Sequence, residues 1–472
     1  MDVKKLAGNT TAAFLAQGVN VVVSIITTLL LPKIMGVEEF GYWQLFIFYV
    51  SYVGFFHLGL NDGVYLLNGG KTRAQIDRPA IASQFAFGMV YQSAMALALM
   101  LVAWFGDVDA DRGFVVFMTA LYLVVNNAWN YLGYTLQAMN ETKRFSMSVA
   151  LNGLVYIGPL VLMILLRQTD FMPYVVFYTI ARTVSLGYCL WQTRDILNSG
   201  LLPLKETAQL AWGSIRVGAQ LMIANVASTL ILGISRFLID AAWGIEVFSI
   251  VSFSISMTTF ILTFVNQVSM VLFPALRQED DREVASFFVT IRDGLDLLLP
   301  ASYLFYAPVV ALLDLWVPAY HESLVLFALL LPLCVFDGKM DLVGTTYLKV
   351  LRGEGQLLRI NLTTVAISTA GALVSVYGLH SVQAALLSSV VALGWRCWYS
   401  EHYVGRCLGV PSSRTLLWVF AYSAVFAVAS FLLPLGWSWL VTAFGYVAFL
   451  AANRAHLNAL VMPILRRLGR IS

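Results

Sequence analysis

The sequence predicts an all-α integral membrane protein of about 14 transmembrane helices, arranged as two parallel-repeat six-helix lobes plus two C-terminal helices. Three observations carry this expectation. Of the 472 residues 59% are hydrophobic and only 12% are charged, whereas soluble domains carry about 25% charged residues. Apolar runs recur at a length of about 20 residues, enough for a helix to cross the roughly 30 Å hydrocarbon core. Once those runs are numbered, the basic residues sort to one side of the membrane.

Taken in order, the runs lie near 10–33, 42–67, 81–105, 114–137, 146–166, 172–193, 215–239, 246–275, 288–315, 323–347, 360–378, 381–404, 415–433 and 436–452. With the N-terminus inside, 23 Lys and Arg, from Lys4 and Lys5 to Arg466, Arg467 and Arg470, fall in cytoplasmic segments. Only Lys33, Arg112, Arg167 and Arg236 fall in outer ones. Such a bias sets orientation and places both chain ends in the cytoplasm. The expected organisation is a six-helix lobe over 1–195, a cytoplasmic linker over 196–214, a second six-helix lobe over 215–405, helices 13 and 14 over 406–453, and an amphipathic basic tail over 454–472. Displacing residues 8–71 by 205 positions matches ten of 64 residues, including Gly8 with Gly213 and Asn20 with Asn225. Asn61-Asp62 falls on Asn266-Gln267 in the same register. An even number of helices per repeat gives both lobes the same orientation, as in transporters with parallel repeats.

Several function classes are excluded by what the chain lacks. Cys189, Cys334, Cys397 and Cys407 show no metal spacing, and no Walker A, HExxH or dinucleotide fingerprint occurs, so neither a metal nor a cofactor is expected. A net charge of +3 gives no reason to invoke a nucleic-acid partner. Outer loops of about ten residues or fewer leave little room for catalytic carboxylates, which weighs against an enzyme.

The opening segment GNTTAAFLAQGVNVVVSIITTLLLPKIMGVEEFGYWQLFIFYVSYVGFFHLGLNDGVYL resembles the start of Wzx-type O-antigen and capsular polysaccharide flippases, members of the multidrug/oligosaccharidyl-lipid/polysaccharide (MOP) exporter superfamily. LPKIMGVEEFGYWQLF and GFFHLGLNDGVYL are its most specific parts. The resemblance covers about 60 residues at motif level and nearly the whole chain in helix count and lobe plan. It implies alternating access around a central cavity in the bacterial inner membrane. The substrate it implies is an undecaprenyl-pyrophosphate-linked oligosaccharide, and a glycan polymerase and glycosyltransferases are the implied partners of a monomeric carrier. Helix 1 holds only Gln17 and Asn20 where flippases of the peptidoglycan precursor carry arginines. A MATE-like H+/Na+-coupled exporter of small cationic compounds is the alternative, and a membrane glycosyltransferase or polymerase is a third reading.

A diphosphate calls for Arg or Lys at depth, and sugars call for amides and aromatics. The substrate-binding candidates are therefore Arg182, Lys339, Arg236, Asn20, Asn225, Asn61, Asn266 and Gln267. The ion-coupling candidates are Asp62, His57, Asp337 and Asp341. Each has a plainer alternative. Arg182 and Lys339 are equally compatible with structural pairing, Arg236 with a local pair to Asp240 four residues on, and the asparagines with interhelical packing.

Overall fold

The computed structural model describes residues 17–106, 109–276, 281–411 and 413–458, with backbone alone for 264–276 and 281–283. The described residues are overwhelmingly helical and contain no strand. Nine of their helices are long and apolar enough to cross a membrane, or eleven when each of two bent pairs counts as one span. The other expected spans are also helical. One lies in a helix long enough for two spans, and two lie in more polar helices of 21 and 26 residues.

In chain order the first unit contains α1 (Gln17–Met35), α2 (Val37–Val50), a 3-10 turn (Val53–His57), α3 (Leu60–Asn68), α4 (Arg78–Phe105), α5 (Ala110–Ala138), α6 (Thr142–Leu165) and α7 (Met172–Gln192). Helix starts follow ordinary capping chemistry. Asp77 accepts from the Ala80 N–H and Asp109 from the Arg112 N–H, each satisfying an orphan donor of a first turn. The unit is built around α5, which packs against α2, α3, α4, α6 and α7.

The long helix α8 (Leu204–Leu276) follows, interrupted at Gly244, where φ is 80°. That left-handed conformation is open to glycine at little cost. Leu204, which the sequence places in the linker, begins α8. Packing divides the chain into compact units at Thr229/Leu230, because the first turns of α8 belong to the first unit. A Cβ on Gly63 would lie 1.9 Å from the Ser214 carbonyl oxygen, and one on Gly218 would lie 2.0 Å from that of Gly59. Backbones meet this closely only across small residues.

The second unit continues with α9 (Asp281–Leu298), α10 (Tyr306–Trp316), α11 (His321–Leu330), α12 (Pro332–Lys339), a π turn (Met340–Thr345), α13 (Thr346–Val350), α14 (Glu354–Leu373), α15 (Val382–Cys407), α16 (Thr415–Leu432) and α17 (Leu435–Ala452). Here α15 is central, packing on α11, α12, α14 and the π turn. The side chains of Asn266 and Gln267, the N-terminal Gly8 and most of the basic tail lie outside the described residues.

Candidate functional site

Each unit buries a cation, and the two are held in different ways. In the first, Arg182 projects from α7 toward α5. Its Nε donates to the Tyr122 hydroxyl at 3.0 Å, and its guanidinium carbon stands 4.1 Å from the Trp129 ring centre. Trp129 is itself fixed, its Nε1 donating to the Ser148 hydroxyl at 3.1 Å. Around Tyr122 and Tyr178 stand Trp43, Phe46 and Tyr156, with ring centroids 5.3 to 5.9 Å apart where they meet either tyrosine. No carboxylate among the described residues pairs with Arg182. The Tyr178 side chain hydrogen-bonds the same guanidinium, so its neighbours are two tyrosines and a tryptophan, and its planar group is of the kind that suits two oxygens of an anion.

The second span, α2 to α3, is broken between the two helices. The pair bends by 59° across Leu58 and Gly59, with φ of 54° and 89°. His57 and Asp62, both buried, flank the break with Nε2 and Oδ2 3.6 Å apart. The His57 Nδ1 accepts the Gly59 N–H at 3.0 Å, so Nε2 is the protonated nitrogen of the neutral ring and faces the carboxylate. Asn61 donates to the Asn127 carbonyl, and Asn127 donates to that of Val53.

In the second unit Lys339 is almost fully buried and lies between two carboxylates. Its ammonium contacts Asp296 of α9 and lies 2.5 Å from Glu401 of α15. Arg292 bonds Asp293 at 2.8 Å and donates to the Pro411 carbonyl, and His456 closes the far side of Asp293 at 3.1 Å. A second pair joins Arg396 to Asp337 at 3.0 Å and to the Asn361 amide oxygen at 2.9 Å. Asp337 and Asp341 lie two residues to either side of Lys339, but its partners come from other helices. Asp296, four residues after Arg292, turns to Lys339. Asp341 lies in the π turn, half-buried.

The remaining candidates are dispersed. Arg236 donates to Ser252 at 2.8 Å and covers the Phe248 ring. Asn225 is exposed, and Asn20 bonds Gln17 within its own helix. Sequence reasoning missed Tyr122, Trp129, Asp296 and Glu401 as partners of the two cations. Burial pressure on an intramembrane charge predicts that partners exist, but nothing in the spacing says where.

No family model and no curated protein sequence matches this chain. Solved structures do. A lipid II flippase, MurJ, in an inward closed conformation aligns with a TM-score of 0.65 at 10% identity, over 95% of this chain and 99% of that one. An inward-facing multidrug resistance MATE family transporter of the MOP superfamily aligns at 0.60 and 12% identity, over 84% and 94%. A MOP superfamily transporter from Pyrococcus furiosus aligns at 0.54 and 10% identity, over 86% and 96%. The chain therefore has the fold of MOP-superfamily transporters.

Proposed function

We propose that this protein is a flippase that moves an undecaprenyl-pyrophosphate-linked oligosaccharide, an O-antigen, capsule or similar repeat unit, from the cytoplasmic to the outer leaflet of the bacterial inner membrane. It works by alternating access, coupled to an ion gradient or the membrane potential. Arg182 carries this reading. A guanidinium at the depth of a span costs about 2.5 to 3.5 kcal/mol even on the lenient insertion scale, and this one is positioned by two tyrosines and a tryptophan, with no neutralising carboxylate among the described residues. A diphosphate supplies the missing charge and matches the fork, and the neighbouring aromatic rings offer faces for sugar. Lys339 does not serve this purpose, since Asp296 and Glu401 already hold its charge. The likeness to a lipid II flippase over 95% of the chain accords with a lipid-linked substrate.

The carrier acts as a monomer and receives its substrate from glycosyltransferases, with a glycan polymerase downstream. The MATE-like alternative keeps one observation in its favour, Asp62, a buried carboxylate whose neighbour at 3.6 Å is a histidine. Reconstitution decides between them. Proteoliposomes loaded with a fluorescent pyrophosphate-linked glycolipid should expose it to an external lectin or quencher only with active protein, and Arg182→Ala should lose this. Protein-free rates in the wild type, together with drug resistance conferred on sensitive cells, would replace the flippase with the cation exporter.

A further inference from the structure

The C-terminal part of the chain is fastened along one span of the second unit at three levels, and the last fastening is a histidine. The Trp439 Nε1 of α17 donates to the Leu304 carbonyl at 3.1 Å, and the Tyr446 hydroxyl donates to that of Leu297 at 2.9 Å. Pro300, in the 3-10 turn Leu299–Phe305 after α9, has no N–H to offer the Leu297 carbonyl three residues before it, which leaves that acceptor to Tyr446. Beyond α17, His456 brings its Nδ1 to 3.1 Å from the Asp293 Oδ2 of α9. A carboxylate only accepts, so Nδ1 carries the proton of the neutral ring and Nε2 is where a second proton adds. The His456 side chain is 38% exposed, enough for that proton to come from water.

The cluster behind Asp293 is one positive charge short. Asp293, Asp296 and Glu401 bring three negative charges, while Arg292 and Lys339 bring two positive ones. A protonated His456 makes the count even. We propose that His456 and Asp293 form a pH-sensitive latch, which holds the chain after α17 to α9 when the histidine is protonated and loosens when it is neutral. Protonation turns the contact into a charge-assisted hydrogen bond, the stronger kind. That gain is present on the acid side of the histidine range and is lost as pH rises through it. The surrounding charges are accounted for. Arg292 donates to Asp293 and to the Pro411 carbonyl, Lys339 is held by Asp296 and Glu401, Asp337 pairs with Arg396, and Arg454 on the segment of His456 is exposed. A closed latch adds a third tie to a span already held at Leu297 and Leu304. Its consequence for transport rests on the flippase reading: acid should slow turnover by stiffening a span that alternating access has to move.

The latch is read without any transport. Full-length protein in nanodiscs carries a nitroxide at the exposed position 458, as Asn458→Cys with the exposed Cys407 removed by Cys407→Ser. The mobile fraction of its spectrum should fall at least about threefold from about pH 8 to about pH 5. His456→Gln should keep that fraction high at every pH and His456→Arg should keep it low, and both leave the Arg292–Asp293 pair in place. A wild-type spectrum that ignores pH would overturn the latch. So would a pH response that persists in His456→Gln, as expected if a buried carboxylate of the cluster takes the proton instead. Flipping in proteoliposomes over the same range should slow with acid in the wild type and not in His456→Gln, and equal pH dependence in the two would overturn the brake. A latch that titrates in a protein that moves no lipid would count against the flippase reading and uphold the latch.

Discussion

Arg182 and Lys339 are the same kind of oddity, a positive charge at the depth of a span, and the two units treat them in opposite ways. In the second unit the charge is cancelled inside the protein by Asp296 and Glu401, and a second layer of Arg292, Asp293 and His456 surrounds the pair. In the first unit the charge is oriented by Tyr122 and Trp129 and left electrostatically open. A neutralised ion holds helices together, whereas an oriented and uncancelled one is what the proposed flippase would use to meet its substrate. Depth alone cannot tell these cases apart, and partners can.

The largest effect should come from Lys339→Ala. Two carboxylates would be stranded, and breaking a buried pair costs about 3 to 5 kcal/mol, so the protein should fail to accumulate or should melt far below the wild type. Adding Asp296→Asn and Glu401→Gln to Lys339→Met should recover most of that loss, because a neutral cluster of similar volume carries no stranded charge. If Lys339→Ala folds normally but abolishes transport, the contrast between the units is broken.

Arg182→Ala should do the reverse. Losing the stacking on Trp129 costs about 0.5 to 2 kcal/mol, while glycolipid flipping measured in proteoliposomes should fall by at least about tenfold. Arg182→Lys should not restore it, since an ammonium lacks the planar fork. Trp129→Leu sharpens the comparison, with a smaller loss of flipping and unchanged expression, because the Tyr122 bond still orients the guanidinium. The smallest effect belongs to Arg73, whose bonds to Glu141 and Asp195 are partly exposed. Such pairs contribute about 1 kcal/mol or less and are screened by salt, so Arg73→Ala should shift the melting temperature slightly, less at high ionic strength, and leave flipping intact.

The helical plan was legible because it depends on a quantity a sequence displays directly, namely the length of apolar runs. All 14 expected spans meet a helix, though their internal breaks were not visible. Leu58 in a left-handed conformation is not suggested by its residue type, and only tertiary packing against α8 accounts for the bend beside it. The depth of Arg182 and Lys339 was equally readable, and their difference was not. Tyr122 stands 60 residues from Arg182, and Asp296 stands 43 from Lys339, separations no periodicity encodes. Helical spacing puts Asp296 four residues after Arg292, yet Arg292 takes the adjacent Asp293 and Asp296 turns to Lys339.

Binding of a polyprenyl pyrophosphate to the purified protein, compared across two variants, tests the contrast most directly. The wild type and the Lys339→Met, Asp296→Asn, Glu401→Gln triple variant should both bind it saturably, and Arg182→Ala should not. Equal binding by Arg182→Ala, with loss in the triple variant while it remains folded, would place the anion receptor in the second unit and contradict the assignment made here.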